Sequence, residues 1–210
     1  AIAHLTRVRS RPPETKINFV GISYNNKKQN KMKAILLKKI GSLGNLVYEE
    51  IKSPKVQIEE VKIKVIYCGV NHLDLLVIYG KRPTTVKLPL ILGSEIVGKI
   101  PDTNENVVVY PWIFCGKCKQ CLDGNMNLCD LGGTIGRTRQ GGYAEYVSVP
   151  VKNLVKIPIG IDPRYICAVT LSAVTALHMI KRANLPNKTT VMINGATGGV
   201  GTALIQLLKH

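Results

Sequence analysis

The sequence predicts a barrel-like β domain followed by the start of an α/β domain, and two observations support this prediction. Short β-favouring segments, separated by glycine, serine, asparagine or proline, run from Lys33 to about Pro150. Beyond Pro158 the pattern changes to a long helix, a strand, a glycine-rich turn and a second helix. Many short strands with few helices are typical of a closed sheet, whereas strand, turn and helix in that order open an α/β domain.

We therefore expect three regions. Residues 1–31 are polar and basic and predict an N-terminal extension. Residues 32–158 predict the β domain. Residues 159–210 predict an α/β domain that is incomplete, because one strand cannot build a parallel sheet.

Five segments of the β domain have the composition and flanking breaks of strands, at 33–39, 46–51, 61–68, 107–111 and 143–150. A short helix is predicted over 72–79 and ended by Gly80. In the third region, Pro163 to about Arg182 is apolar on more than one face, which predicts a mostly buried helix. Thr190–Asn194 predicts a strand, and the residues after the glycine-rich turn predict a second helix.

Composition indicates an ordinary globular protein. Of 210 residues, 45% are hydrophobic and 20% are charged, which is too apolar for a disordered chain. No run reaches the roughly 18 consecutive apolar residues of a membrane span, and residues 1–31 lack the apolar core of a secretory signal. We therefore predict a cytoplasmic protein with no membrane partner; a transit peptide in the extension is the alternative.

The net charge of +16 raises the question of a nucleic-acid partner. Residues 1–31 carry seven Lys or Arg against one acid, and the rest of the chain carries 22 against 12. The excess is spread along the chain, with no basic block and no nucleic-acid motif. We predict no nucleic-acid partner and assign the charge to a solvated surface or to a cleft that attracts phosphate-bearing cofactors and substrates.

Four of the six cysteines lie within fifteen residues, at Cys115, Cys118, Cys121 and Cys129. This spacing lets one loop, about 112–131, wrap four thiolates around a tetrahedral ion. A closed shell of four sulfurs is typical of structural zinc. The ferredoxin spacing ends in x3-Cys-Pro, so an iron–sulfur cluster fits less well. We predict one structural zinc, with disulfides or free thiols as alternatives.

A glycine-rich turn lies between the predicted strand and the second helix of the third region. It comprises Ala196, Thr197, Gly198, Gly199, Val200 and Gly201. Small residues let the backbone approach a pyrophosphate, whose charge then lies on free N–H groups at the helix N-terminus. The turn predicts binding of NADP or NAD, and a tight connection without a ligand is the alternative. The residue that distinguishes the two cofactors is expected about 20 positions further on, past His210.

Together these segments resemble the medium-chain dehydrogenases/reductases, which include zinc-containing alcohol dehydrogenases and quinone oxidoreductases. The resemblance runs from about Met32 to His210, through CGVNHLDLLVIYG, LPLILGSEIVGKI, the four cysteines, GGYAEYVSVP and the glycine-rich turn. It implies a GroES-like β-barrel catalytic domain with a structural zinc lobe, followed by the start of a Rossmann domain. It also implies an oxidoreductase with a small-molecule substrate and, at full length, a homo-oligomer. Since the chain covers only part of such a protein, we expect it to be inactive by itself.

Zinc-dependent members of this family hold a second, catalytic zinc through GVCH-x-D, GHE and a residue on the long helix. The matching positions here are Asn71, Ser94 and one near Leu171, and these side chains cannot replace imidazole and thiolate. The hydroxyl that relays the alcohol proton would lie at Leu73. The pattern therefore resembles the branch without catalytic zinc, which reduces quinones, enones and similar activated double bonds.

The resemblance implies that Asn71 and His72 lie near the nicotinamide and the substrate as catalytic residues, with Asp74 orienting His72 or favouring the helix start. It implies that Thr175 lies near the nicotinamide. A purely structural role stays open for each residue. His72 would then be a histidine at a helix start with a structural partner, and Thr175 a helix threonine that faces the core.

Two other functions also stay open. One is a zinc-dependent alcohol dehydrogenase whose metal would be held by Cys68, Glu95 and Cys167. The other is a non-catalytic module stabilised by zinc.

Overall fold

The computed structural model describes residues 31–82 and 87–209. The predicted N-terminal extension lies outside these residues, except for Lys31, at which the first strand begins. The described residues divide into two compact units, one up to Cys167 and one from Ala168 onward.

The described part of the first unit is built mainly from strands. These are β1 Lys31–Leu37, β2 Leu46–Lys52, β3 Glu60–Gly69, β4 Leu90–Ile91, β5 Glu95–Lys99, β6 Asn106–Val109, β7 Trp112–Ile113, β8 Gly133–Thr134, β9 Tyr146–Pro150 and β10 Leu154–Lys156. Two short helices, α1 His72–Ile78 and α2 Lys119–Leu122, accompany them, with 3-10 turns at Leu43–Asn45, Met126–Leu128 and Val151–Asn153. The five predicted strands are confirmed as β1, β2, β3, β6 and β9, and the predicted short helix as α1.

All described strand pairs are antiparallel. A five-stranded sheet has the order β10-β6-β5-β3-β9, a three-stranded sheet the order β2-β1-β4, and β7 pairs with β8. The segment just before β9 joins the two larger sheets, since the N–H of Ile35 donates to the carbonyl of Tyr143 (2.8 Å) and the N–H of Val65 to that of Glu145 (2.9 Å). The barrel-like β domain predicted from the sequence is therefore confirmed.

The core of this unit consists of separate clusters, one formed mainly by the five-stranded sheet and another by β1, α1 and the β4 region. Met32, Ala34 and Leu36 alternate with exposed residues along β1, as expected for a strand with one buried face. By contrast, Glu95–Gly98 of β5 are all buried. Both faces of β5 are therefore covered, and its sequence lacks the alternation that signals a strand.

The second unit contains the greater part of α3 Pro163–Ala183 and all of α4 Gly199–Lys209. Both predicted helices are confirmed. However, the expectation that α3 is mostly buried is wrong, because only Cys167 and Ala176 of its residues are buried. The predicted strand Thr190–Asn194 is also wrong, since these residues join no described sheet. A strand needs a hydrogen-bonding neighbour, which residues 184–209 do not provide. These residues also leave most of α3 uncovered, although Ala176 is buried.

By length and composition, α3 is also the one described helix that passes the test for a membrane span. This is weak evidence, because a core helix of a soluble protein passes the same test.

Candidate functional site

The segment between β7 and β8 brings the four predicted zinc ligands together. Their sulfurs all lie within 4.8 Å of one another. Cys115 Sγ and Cys121 Sγ are 3.8 Å apart, and Cys118 Sγ and Cys129 Sγ are 3.9 Å apart. Sulfurs held at about 2.3 Å by a tetrahedral zinc are about 3.8 Å apart, whereas disulfide sulfurs lie about 2.05 Å apart. All four are free cysteines, and their spacing fits a tetrahedral metal.

Backbone N–H groups point at these sulfurs. Those of Lys117 and Cys118 donate to Cys115 Sγ at 3.4 and 3.2 Å, and that of Cys115 donates to Cys129 Sγ at 3.3 Å. The donors at 117 and 118 lower the pKa of Cys115 to about 6, so its thiolate forms at neutral pH. Burial raises the pKa of Cys121 to about 12, and this thiol loses its proton when a metal binds.

The lobe is anchored to the barrel through two side chains of the 3-10 turn after β9. The fully buried Asn153 donates through Nδ2 to the carbonyls of Tyr110 (2.7 Å) and Trp112 (2.8 Å). Lys152 Nζ donates to the carbonyl of Phe114 at 2.5 Å. These bonds fix the strand that leads into the first cysteine.

A second polar cluster surrounds the start of α1 and centres on Asp74, which is 3% exposed. Its carboxylate accepts hydrogen bonds from the N–H of Asn71 (2.8 Å), the hydroxyl of Tyr143 (2.9 Å) and the N–H of Gly93 (3.3 Å). Asp74 thus ties the helix start to the turn before β5 and to the segment before β9. Its bonds stabilise the N-terminus of α1, where a negative charge is favourable.

The side chains at two of the positions matched to catalytic-zinc ligands are bonded to protein atoms. Asn71 Nδ2 donates to Glu95 Oε2 at 3.0 Å. The hydroxyl of Ser94, which is 1% exposed, donates to the carbonyl of Ile135 at 2.7 Å. Within residues 31–82 and 87–209, the four-cysteine lobe is the one group of three or more His, Cys, Asp or Glu side chains placed to hold a metal.

The alternative ligand set of Cys68, Glu95 and Cys167 lies near the same turn. Cys167 Sγ donates to the backbone carbonyl of Glu95 at 3.4 Å. Burial raises the pKa of Cys68, and the nearby Cys167, Asp74 and Glu95 raise it further. Burial also raises the pKa of Cys167. Both thiols are therefore neutral at physiological pH.

His72 and Thr175 are both exposed. His72 is the first residue of α1, and no described hydrogen bond joins it to Asp74, whose carboxylate is bonded elsewhere. The Thr175 hydroxyl donates to the carbonyl of Leu171, one helical turn back, at 2.7 Å. Thr175 is thus not core-facing within the second unit, and the roles of both residues stay predictions.

The glycine-rich turn leads directly into α4. The N–H of Gly198 donates to the carbonyl of Gly195 (3.1 Å), and the first helical bond runs from Thr202 N–H to the carbonyl of Gly198 (2.8 Å). A Cβ on Gly201 would lie 2.3 Å from the Gly195 carbonyl oxygen, so only glycine allows this close approach. The first N–H groups of any α-helix have no acceptor within the helix, so those at the start of α4 are the groups that an anion would bind.

Sequence reasoning missed Tyr143, the hydroxyl partner of Asp74. The two residues are 69 positions apart, and no local pattern connects them. The available signal was the GGYAEYVSVP motif, which marks the position without giving its partner.

Comparison with known proteins agrees with these features. The family model "Alcohol dehydrogenase GroES-like domain" matches residues 57–159. An NAD-dependent alcohol dehydrogenase of Sulfolobus acidocaldarius is 35% identical over 195 residues, covering 85% of this chain and 55% of that protein. The chain thus spans about half the length of the curated relatives it matches.

Solved structures of dehydrogenases are also similar to this chain over about half of their length. A cobalt- and zinc-bound alcohol dehydrogenase from Pyrobaculum aerophilum is similar with a TM-score of 0.78 and 36% identity, covering 85% of this chain and 56% of that one. A putative zinc-binding dehydrogenase of Sinorhizobium meliloti bound to NADP has a TM-score of 0.74 and 30% identity, covering 86% and 54%.

Proposed function

Because the chain belongs to the medium-chain dehydrogenase/reductase family, we propose that it provides the GroES-like catalytic domain and the dinucleotide-binding turn of an NAD(P)H-dependent oxidoreductase. We further propose that this oxidoreductase lacks the catalytic zinc and reduces quinones, enones or similar activated double bonds. The observation that carries the proposal is the bonding of Asn71 to Glu95 and of Ser94 to Ile135. An amide and a hydroxyl engaged in this way are poor substitutes for the imidazole and thiolate that hold zinc.

One zinc is proposed to bind at Cys115, Cys118, Cys121 and Cys129. The sulfur spacing of 3.8–3.9 Å supports this site, as does the metal-bound Pyrobaculum relative. Four protein ligands leave no open coordination position, so the metal would stabilise the lobe and take no part in the reaction.

The cofactor is proposed to bind with its diphosphate on the turn formed by residues 196–201, and with Thr175 near its nicotinamide. The support is the close backbone packing at Gly201 and the free N–H groups at the start of α4. Both NAD and NADP are candidates for this site, since one relative is named as NAD-dependent and another is a solved structure bound to NADP. The bound dinucleotide would supply the hydride.

Without a metal to polarise the substrate, hydrogen-bond donors must stabilise the negative charge that develops on its oxygen. Asn71 keeps one amide N–H beyond the one bonded to Glu95, and His72 is exposed at the helix start. We propose that these two groups bind the oxygen of the substrate. The imidazole then donates the proton that completes the reduction. Conjugation in quinones and enones already stabilises the enolate, so this modest assistance suffices.

A zinc-dependent alcohol dehydrogenase is the second candidate. It is supported by the names of the relatives. Its ligands would be Cys68, Glu95 and Cys167, which lie near one another but are not arranged as a metal site in the described residues. The two candidates differ in metal content, because the first would bind one zinc per chain and the second would bind two. Enone reduction with NADPH supports the first, and oxidation of simple alcohols that stops on chelation supports the second.

Titration of NADPH, followed by its fluorescence, tests the cofactor site directly. We expect saturable binding that weakens at least roughly tenfold in Gly201→Ala, because the added Cβ displaces the turn. Gly44→Ala is the matched control, since its Cβ meets nothing closer than 3.5 Å. Absence of binding at millimolar NADPH would refute the oxidoreductase and favour the non-catalytic module.

For the complete protein we propose a cytoplasmic homo-oligomer without membrane or nucleic-acid partners. Size-exclusion chromatography with light scattering on the full-length protein tests the assembly, and a monomer would contradict it.

A further inference from the structure

The sequence contains a single asparagine that is followed by glycine, and this pair lies directly before the glycine-rich turn of residues 196–201. Asn194 and Gly195 are both exposed and belong to a turn outside the described sheets. Asparagine is one of the chemically labile residues of proteins. A following glycine increases this lability, because no Cβ hinders access to the backbone nitrogen.

The two groups that would react with each other are not held by hydrogen bonds. Within the described part of the chain, no hydrogen bond has the Gly195 N–H as its donor or includes the side chain of Asn194. A Cβ added to Gly195 would meet no atom within 4 Å. In the Asp-Gly pair of the zinc lobe, by contrast, the N–H of Gly124 donates to the carbonyl of Cys121 at 3.2 Å. The backbone nitrogen of Gly195 is therefore accessible to the neighbouring side chain.

The carbonyl of Gly195 is packed into the turn that follows it. Its oxygen accepts the N–H of Gly198 at 3.1 Å, and it would lie 2.3 Å from a Cβ on Gly201. A change in the backbone at this point would therefore displace the turn proposed to bind the diphosphate. A negative charge added next to the turn would also repel the diphosphate, which carries charge of the same sign.

We propose that Asn194 is a site of spontaneous deamidation and that this modification weakens dinucleotide binding. The backbone nitrogen of Gly195 attacks Cγ of Asn194 and closes a succinimide ring, and Nδ2 leaves as ammonia with the proton of the attacking amide. Water then opens the ring at either carbonyl, which gives aspartate or isoaspartate. Both products carry a carboxylate, and isoaspartate also adds a methylene group to the backbone. The effect on the cofactor rests on the proposed function, whereas the modification itself does not.

Mass spectrometry of tryptic peptides tests the modification after the whole chain has been incubated in mildly alkaline buffer. Trypsin releases residues 189–209, in which Asn194 is the sole asparagine. It also releases residues 183–188, in which Asn184 and Asn187 are equally exposed but precede leucine and lysine. We expect the mass change of NH2 to OH to accumulate in the first peptide, with fragment ions that place it at the asparagine. Absence of this change, or equal rates in both peptides, would overturn the proposal.

The effect on the cofactor is measured by titration of NADPH before and after incubation. Asn194→Ser cannot form the succinimide, so it should bind NADPH like the fresh protein and keep its affinity on incubation. The deamidated protein and Asn194→Asp should each bind at least roughly fivefold more weakly, the effect of one like charge a few ångströms from the diphosphate. Unchanged affinity of the deamidated protein would show that the assigned effect is wrong.

Failure of this inference is distinguishable from failure of the proposed function. If NADPH binds but residues 189–209 resist deamidation, the inference is wrong and the oxidoreductase is unaffected. If deamidation occurs in a protein whose fresh form does not bind NADPH, the modification site is supported and the oxidoreductase is refuted.

Discussion

Replacing Asp74 by alanine should strongly destabilise the β unit. The substitution removes the acceptor of three hydrogen bonds, two of them short, at 2.8 and 2.9 Å. A hydrogen bond to a charged group contributes about 1.5–3 kcal/mol. The third, at 3.3 Å, contributes less. Because Tyr143 is only half-buried, its freed hydroxyl can bind water. We therefore expect a loss of about 3–5 kcal/mol in the free energy of unfolding.

Urea denaturation measures this loss. Trp112 is the sole tryptophan and belongs to the β unit, so its fluorescence follows that unit. Tyr143→Phe should lose only about 1–2 kcal/mol, and in the double variant the two losses should not add. Asp102→Ala, at an exposed turn, should change stability by less than about 0.5 kcal/mol. A loss below about 1 kcal/mol for Asp74→Ala would refute the role assigned to this carboxylate.

Two further predictions concern charge and thiol chemistry. Arg139→Ala leaves the carboxylate of Glu60, which is 5% exposed, without its ion-pair partner, and should destabilise by about 2–4 kcal/mol in urea. Lys31→Ala breaks the exposed pair with Glu50 and should change stability by less than about 0.5 kcal/mol; equal losses would contradict this account. With metal bound, iodoacetamide should label no cysteine rapidly at neutral pH, and after chelation Cys115 should react first because its pKa lies near 6. The thiolate fraction of Cys115, and therefore its rate of labelling, should fall as the pH drops through about 6. Rapid labelling of Cys68 would contradict this prediction, because the pKa of its thiol is raised.

Much of the β domain was predictable because its signals are local. The alternation along β1 reports one buried face, and the spacing of the four cysteines suffices to bring their sulfurs together within a single loop. The long helix α3 was recognisable by its period, since helical hydrogen bonds lie within one segment.

The remaining features depend on partners distant in sequence. Strand β5 is buried on both faces, and its chain therefore carries no alternation to mark it. The bond between Asp74 and Tyr143 crosses 69 positions. The segment Thr190–Asn194 has the composition of a strand, yet strand formation requires a neighbour that the described part of the second unit does not provide.

The same distinction applies to the candidate site. Asn71 and Ser94 could be matched to ligand positions by sequence order alone, whereas their bonds to Glu95 and Ile135 required the structure.

The most direct test of the central claim is the metal content of the purified protein and of Cys118→Ser, measured by elemental analysis. The structure places one four-cysteine site in the described chain, and it shows hydrogen bonds from the side chains of Asn71 and Ser94, the positions that the sequence resemblance matches to ligands of a catalytic zinc. We predict one zinc per chain, and its loss in Cys118→Ser. Two zinc ions per chain, or one that survives in Cys118→Ser, would show that a second metal site exists and would contradict the account.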